Sequence, residues 1–216
     1  AVGIRVVAPG EFFQQHRIID HEYTEKLRTA KVLAPIHITA TLKEITLLRE
    51  VFPTTKLIAV SDSAFHAGMP LVAKSYGLPS SLVEEYGIRR YGYHGLSVAS
   101  TVETLTAHLG GTIPEKTLVL HLGSGCSITA LRNGKTVDTS MGFTPLEGLL
   151  MSTRSGSFDP AIVLAFLERG LTKDEIEHLV NKESGLRGVS GITPDMREII
   201  AHAHAGDSRA SHAIDL

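Results

Sequence analysis

Four groups of residues in this chain have types and spacing that could do chemistry. Gly123-Ser124-Gly125 stands between two apolar runs. A turn without bulky side chains can bring backbone N–H groups up to an anion such as a phosphate, and the same tripeptide serves equally as a plain turn. Arg5 is the one charge within Val2-Gly-Ile-Arg-Val-Val7, so it either snorkels at a sheet edge or points into a site. Asp62 follows a short apolar stretch, a place that suits a catalytic or metal-linked carboxylate and suits a helix N-cap as well. Tyr86-Gly-Ile-Arg-Arg-Tyr-Gly-Tyr-His94-Gly-Leu-Ser97 combines arginines, tyrosines and glycines in a way that a solvated loop does not.

Elements must hold these residues. Apolar runs predict strands over residues 2–7 and 56–60 and a buried strand over 118–122, with further strands over 126–132 and 135–140. Asn133-Gly134 predicts a two-residue type I′ hairpin, whose central positions both need positive φ. Leu42, Ile45, Leu48 and Val51 recur at helical spacing as a core-facing stripe. Val98, Val102, Leu105 and Leu109 do the same ahead of Gly110-Gly111. The stretch from Ser140 to Gly156 reads as a long binding loop between a strand and a helix. Beyond it, Asp159-Pro160 starts a buried helix over 162–167, Thr172-x-x-Glu175 is a capping box, and Thr193-Pro194 opens another helix carrying Met196, Ile199 and Ile200. These later helices read as scaffold, and the spacing of His202, His204 and His212 fits no metal motif.

Taken together, these segments resemble the acetate kinase family of acyl-phosphate-forming enzymes. Leu122-Gly-Ser-Gly125, Asp138-Thr-Ser-Met-Gly-Phe-Thr-Pro-Leu-Glu-Gly148 and Thr153-Arg154-Ser-Gly156 are similar to the family's central signature. Ala34-Pro-Ile-His37, Ser61-Asp-Ser-Ala-Phe-His66 and the run from Gly87 to Ser97 extend the likeness over nearly the whole chain. The resemblance implies an α/β fold of the actin-like, sugar-kinase-like (ribonuclease H-like) class with two domains. Residues 1–64 would then be the C-terminal part of the first domain and 65–216 the N-terminal part of the second. The family also carries a Gly-Ser-Ser-Ser-rich phosphate loop before this span and a Gly-Gly-Ile-Gly adenosine loop after it. Because neither loop is in the sequence, the expectation is a central fragment that is inactive alone.

The activity so implied is reversible transfer of the γ-phosphate of ATP to acetate, with Mg2+ (or Mn2+), giving acetyl phosphate and ADP. A carboxylate needs no strong base to attack; the barrier lies in anion repulsion and charge spreading over the equatorial oxygens. By resemblance, Arg5 and Arg154 bind carboxylate and phosphoryl oxygens, a task for which the guanidinium fork suits two oxygens at once. His94 hydrogen-bonds the phosphoryl group. Asp62 acts near the magnesium, through its water, or near the acyl group, and no residue of this span ligates the metal directly. Val7, Ile36 and Pro145 form the apolar wall around the acetate methyl, and His37 contacts the phosphoryl group. His121, Leu122, Gly123, Ser124 and Gly125 run along the nucleotide phosphates. The chain departs from the family pattern at Ile4, Ala8, Ile38, Leu96, Val98 and Ser124, where the family carries His, His, Asn, Thr, His and Asn. Two alternatives stand beside acetate phosphorylation: a kinase of a longer acid such as propionate or butyrate, and a catalytically weakened nucleotide-binding homologue.

Composition narrows the classes further. The 216 residues are 43% hydrophobic and 20% charged, so they can build a substantial core. A net charge of −2 gives no basic footprint for nucleic acid, and no apolar run reaches the ~20 residues of a membrane span. The single cysteine, Cys126, cannot form an internal disulfide, which suits a reducing, cytoplasmic setting. Homodimerisation is expected from the family alone.

Overall fold

The computed structural model describes residues 1–216, apart from the side chain of Ile36, which lies outside the described residues. The chain forms two compact units, Ala1–Val119 with Ile128–Thr144, and Leu120–Ser127 with Pro145–Leu216.

The first unit opens with β1 (Val2–Val6), β2 (Arg17–Ile18), α1 (His21–Ala30), α2 (Pro35–Val51) and β3 (Leu57–Ser61). Their sheet has the order β1-β3-β2, with β1 parallel and β2 antiparallel to β3. Ile4, Val6, Leu57 and Ala59 turn to one face of it and share a core with Phe13, Tyr23, Leu27, Ile38 and Ile45. Full burial of a side chain of this size is worth about 1.5–3 kcal/mol. The polar-looking stretch of residues 11–31 thus supplies core aromatics, Phe13 and Tyr23 packing edge to face. Asp20 caps α1 by accepting from the Tyr23 N–H at 2.8 Å. Of the predicted α2 stripe, Ile45 is buried and Val51, at the last position of the helix, is exposed.

Next come α3 (Leu71–Lys74), α4 (Ser80–Tyr86) and α5 (Gly95–His108), then β4 (Lys116–Leu122), β5 (Cys126–Arg132) and β6 (Lys135–Thr139) in a sheet of order β4-β5-β6. Asn133 and Gly134 take φ of 50° and 73°, as the hairpin requires. β4 is not buried as expected. Leu118, Leu120 and Leu122 are exposed, because they alternate with Val119, which packs against Val98 and Leu131, and so lie on the uncovered face of the sheet.

The second unit holds α6 (Ala161–Glu168), α7 (Lys173–His178), a one-turn π-helix (Leu179–Glu183), α8 (Gly185–Ser190), α9 (Met196–His204) and α10 (Ser208–Asp215). The capping box at Thr172 and Glu175 forms as predicted. Ile199, Ala210 and Ala213 make the core with Leu186, Val189 and Ile192. α6 differs from expectation: Ile162, Leu164 and Leu167 are exposed, so its apolar composition does not report burial. Among the described residues no helix is long and apolar enough to cross a membrane.

Candidate active site

Register brings the first group together. Arg5 on β1 stands opposite Val60 on β3, and Asp62 lies two residues beyond Val60. Side chains in strands alternate with period two, so Arg5 and Asp62 share the face opposite Ile4 and Val6. The Asp62 N–H donates to the Val6 carbonyl at 2.9 Å and prolongs the pairing past the end of β3. Across 57 residues of sequence, Arg5 Nε donates to Asp62 Oδ1 at 2.9 Å and a terminal nitrogen donates to Oδ2 at 3.0 Å. The Asp62 side chain is 2% exposed and that of Arg5 58% exposed. The carboxylate is thus an interior anchor, while the guanidinium's remaining N–H groups face outward with no acceptor among the described residues. The hydrogen bond to Asp62 raises the Arg5 pKa further, so its charge is permanent.

His94 joins through the backbone. Its N–H donates to Asp62 Oδ2 at 2.8 Å, and the Gly95 N–H donates to the Asp62 carbonyl at 2.7 Å. His94 adopts φ 60° and ψ 18°. Asn133, in the hairpin turn, is the only other non-glycine with positive φ among the described residues. A left-handed histidine outside a tight turn costs on the order of 1–3 kcal/mol, so the surroundings must enforce it. His94 also precedes α5, whose first N–H groups lack a side-chain cap. Arg5, Asp62 and His94 therefore form one cluster. Val7 is buried just beyond β1, and His37 sits half-buried in the first turn of α2. Ile36, expected in the apolar wall, lies outside the described residues.

Four of the departures from the family pattern find a reason here. Ile4, Ala8, Ile38 and Val98 are all buried among apolar neighbours, so each lost polar group is replaced by core packing rather than by an orphaned partner.

The second unit holds the remaining candidates. In the glycine turn, the Gly125 carbonyl accepts from the Gly123 N–H at 3.2 Å and the Ser124 carbonyl from the Ser152 N–H at 3.1 Å. The Gly123 carbonyl accepts from Cys126 Sγ at 3.2 Å. With its carbonyls tied inward, the turn leaves the Ser124 and Gly125 N–H groups without an acceptor among the described residues. That is the arrangement an anion needs. His121 lies over the same turn, its ring 3.3 Å from where a Gly123 Cβ would be.

Arg154 donates to the Pro145 carbonyl at 2.6 Å, and burial lowers its pKa from the usual guanidinium value. Its loop is clamped by the π-helix. The Ser155 N–H donates to the Val180 carbonyl and Thr153 Oγ1 to the Asn181 carbonyl, both at 2.9 Å.

A cavity of about 850 Å3 runs from this turn to the start of α9, with Leu122, Gly123, Leu186, Pro194, Met196 and Arg197 among its lining. Sequence reading took Thr193-Pro194 as the opening of a helix, which forms from Met196, and missed the wall that this start provides. Asp195 does cap α9, and its bonds to Arg197 hold its pKa down to about 2, so a fixed charge pair borders an apolar chamber. An Asp-x-Arg at a helix start carries too little information to show this from sequence. Among the described residues no three His, Cys, Asp or Glu side chains group to hold a metal ion.

Comparison with known proteins follows the same lines. Residues 1–216 match the sequence profile described as the Acetokinase family. The chain is 44% identical over 216 residues to an acetate kinase of Synechococcus sp., covering all of this chain and 53% of that one. To an acetate kinase of Caldanaerobacter subterraneus it is 46% identical over 217 residues, covering 99% and 54%. Among solved structures, a propionate kinase from Francisella tularensis superposes with a TM-score of 0.92 at 41% identity, over 99% of this chain and 56% of that one. An acetate kinase from Porphyromonas gingivalis gives 0.87 at 38%, over 100% and 54%. The chain spans about half the length of the curated relatives it matches. It has the α/β, actin-like fold of the matching part of those kinases.

Proposed function

We propose that this chain, which belongs to the Acetokinase family, works in a carboxylate kinase that moves the γ-phosphoryl group of ATP reversibly onto a short-chain acid, acetate first. The observation that carries this reading is the Arg5–Asp62–His94 cluster. A permanent cation is locked in orientation by a buried carboxylate, with donors left facing outward, beside a histidine held in a strained backbone. An acyl phosphate forms when an ionised carboxylate, of free pKa about 4, attacks phosphorus. The protein's work is then positioning and charge compensation.

In this reading Arg5 and Arg154 take oxygens of the carboxylate and the phosphoryl group, and His94 and His37 hydrogen-bond the phosphoryl group. Val7, Ile36 and Pro145 line the acetate methyl. The Ser124 and Gly125 N–H groups meet the nucleotide phosphates, His121 and Leu122 flank them, and the cavity beside that turn takes the nucleoside. Asp62 orients Arg5 and His94. Its Oδ2 is occupied twice, but Oδ1 accepts one hydrogen bond and keeps a lone pair, so Asp62 can reach magnesium through the metal's water. The divalent cation, Mg2+ or Mn2+, enters with the nucleotide as part of the substrate. A lobe boundary at Ala64, homodimerisation and a cytoplasmic location belong to the same proposal and rest on the family alone.

Likeness to a propionate kinase keeps a second acid in view. One methylene in an apolar pocket is worth about 1–3 kcal/mol, so acetate and propionate would differ by a ratio rather than absolutely. The test is to trap acyl phosphate as its hydroxamate, using the full-length protein with ATP, Mg2+ and acetate, propionate or butyrate in turn. Hydroxamate should form with acetate at the highest kcat/KM. Nucleotide binding without hydroxamate from any of the three acids would leave only a nucleotide-binding homologue.

A further inference from the structure

His66 is a fully buried ionisable side chain that the reaction above does not use. It ends the short 3-10 turn Ala64–His66 that follows Asp62 and Ser63. Its Nε2 lies 3.0 Å from the Tyr93 carbonyl oxygen and its Nδ1 3.0 Å from Thr136 Oγ1 on β6. A carbonyl only accepts, so Nε2 carries the ring hydrogen and Nδ1 receives the threonine hydroxyl. The neutral ring is thereby satisfied at both nitrogens. It also packs against Gly92, where φ is +73° and an added Cβ would lie 2.7 Å from His66 Cδ2, so no side chain fits between them.

The Tyr93 carbonyl and the His94 N–H belong to one planar peptide unit. His66 holds the carbonyl edge of that plane and Asp62 Oδ2 holds its N–H edge at 2.8 Å. Two side chains four residues apart therefore grip opposite edges of a single peptide. Its rotation sets the ψ of Tyr93 and the φ of His94, the left-handed 60° noted above. The Tyr93 hydroxyl, donating to the Phe143 carbonyl at 2.7 Å, anchors the same turn from the side-chain end.

We propose that His66 is a positioning residue for His94: its Nε2–H and the Asp62 carboxylate together fix the peptide from which the His94 imidazole projects toward the phosphoryl group. This role rests on the reading of His94 given under the proposed function. Loss of the Nε2 bond frees the peptide to rotate and moves His94 without removing it, and displacements of this kind cost about 10- to 100-fold in rate.

Two substitutions separate positioning from bulk packing. In His66→Gln the amide nitrogen can replace Nε2, whereas in His66→Asn it reaches only as far as Nδ1. With full-length protein, acetate and ATP, His66→Asn should lower kcat about 10- to 100-fold with the KM for ATP unchanged, and His66→Gln should restore most of it. Hydrogen exchange at the His94 amide should quicken in His66→Asn and not in His66→Gln. An unchanged kcat in His66→Asn would overturn the role. So would equal losses in both variants that track their unfolding temperatures. Should His66→Asn not fold, 15N-histidine spectra of the unmutated protein decide, since an Nδ1–H tautomer at His66 is incompatible with the bond to Tyr93. The exchange and tautomer measurements need no turnover. They judge this role even if no acid yields a hydroxamate, an outcome that would count against the kinase reading instead.

Discussion

Arg5 and Asp62 divide one task between an exposed cation and a buried anion, and the division predicts how each should fail. Lysine at position 5 keeps the charge and loses the fork, so it cannot both hold Asp62 through two donors and present others outward. Arg5→Lys should lower kcat/KM for the acid about 10- to 100-fold, the worth of a charge-assisted hydrogen bond of about 1.5–3 kcal/mol. Steady-state assays across an acetate series would check it, and a change within twofold would dissociate Arg5 from substrate. His66 gives a pH prediction at the same scale. Burial lowers its pKa below the ordinary 6.5, outweighing the Tyr93 carbonyl and the Asp62 charge, which both act the other way. Below pH 6.5 the unfolded chain therefore binds a proton that the native ring refuses, so stability falls as pH drops through that window. Denaturant midpoints measured down to pH 5 should fall more steeply for the unmutated protein than for His66→Gln.

Elements, rather than single groups, present Arg154. The π-helix frees carbonyls from the regular ladder, and those of Val180 and Asn181 catch Ser155 and Thr153 on either side of the arginine. Gly185, at φ +65°, closes the clamp from beneath: a Cβ there would lie 2.1 Å from the Met151 carbonyl oxygen and 2.8 Å from that of Arg154. Gly185→Ala should therefore displace the Arg154 loop. We expect a loss of about 1 kcal/mol or more in unfolding free energy together with a fall in kcat/KM. Thr172→Ala is the matching control in the same unit. It removes the capping box and should cost about 1 kcal/mol with kcat unchanged, because the box serves only the start of α7.

At the scale of the whole molecule, the two compact units carry different halves of the proposed chemistry. Arg5, Asp62 and His94 lie in the first, and the glycine turn, Arg154 and the cavity lie in the second. Substitutions should sort accordingly. Ser124→Asp places a carboxylate where the nucleotide phosphates would sit and should weaken ATP binding about tenfold or more by like-charge repulsion, with the KM for acetate little changed. Arg5→Lys should do the reverse. Calorimetric titration with ATP alongside acid-dependence assays would show the split, and an equal effect of both variants on both ligands would refute it.

Much of this protein was legible in its sequence. The Asn133-Gly134 hairpin, the Thr172 capping box and the strand ahead of Asp62 follow from residue types acting on their own backbone or on near neighbours, whereas Arg5, His94 and Arg154 became candidates through resemblance to the family. Four things were decided only by tertiary structure. The pairing of Arg5 with Asp62 depends on strand register, and the grip of His66 on the peptide before His94 depends on where a turn falls against β6. The exposure of the apolar runs in β4 and α6 depends on what covers them, and the cavity wall at Pro194 to Arg197 on how α9 meets the glycine turn. Local rules constrain φ and ψ residue by residue. Contacts between residues tens of positions apart depend on the accumulated direction of every element between them, which no short window of sequence contains.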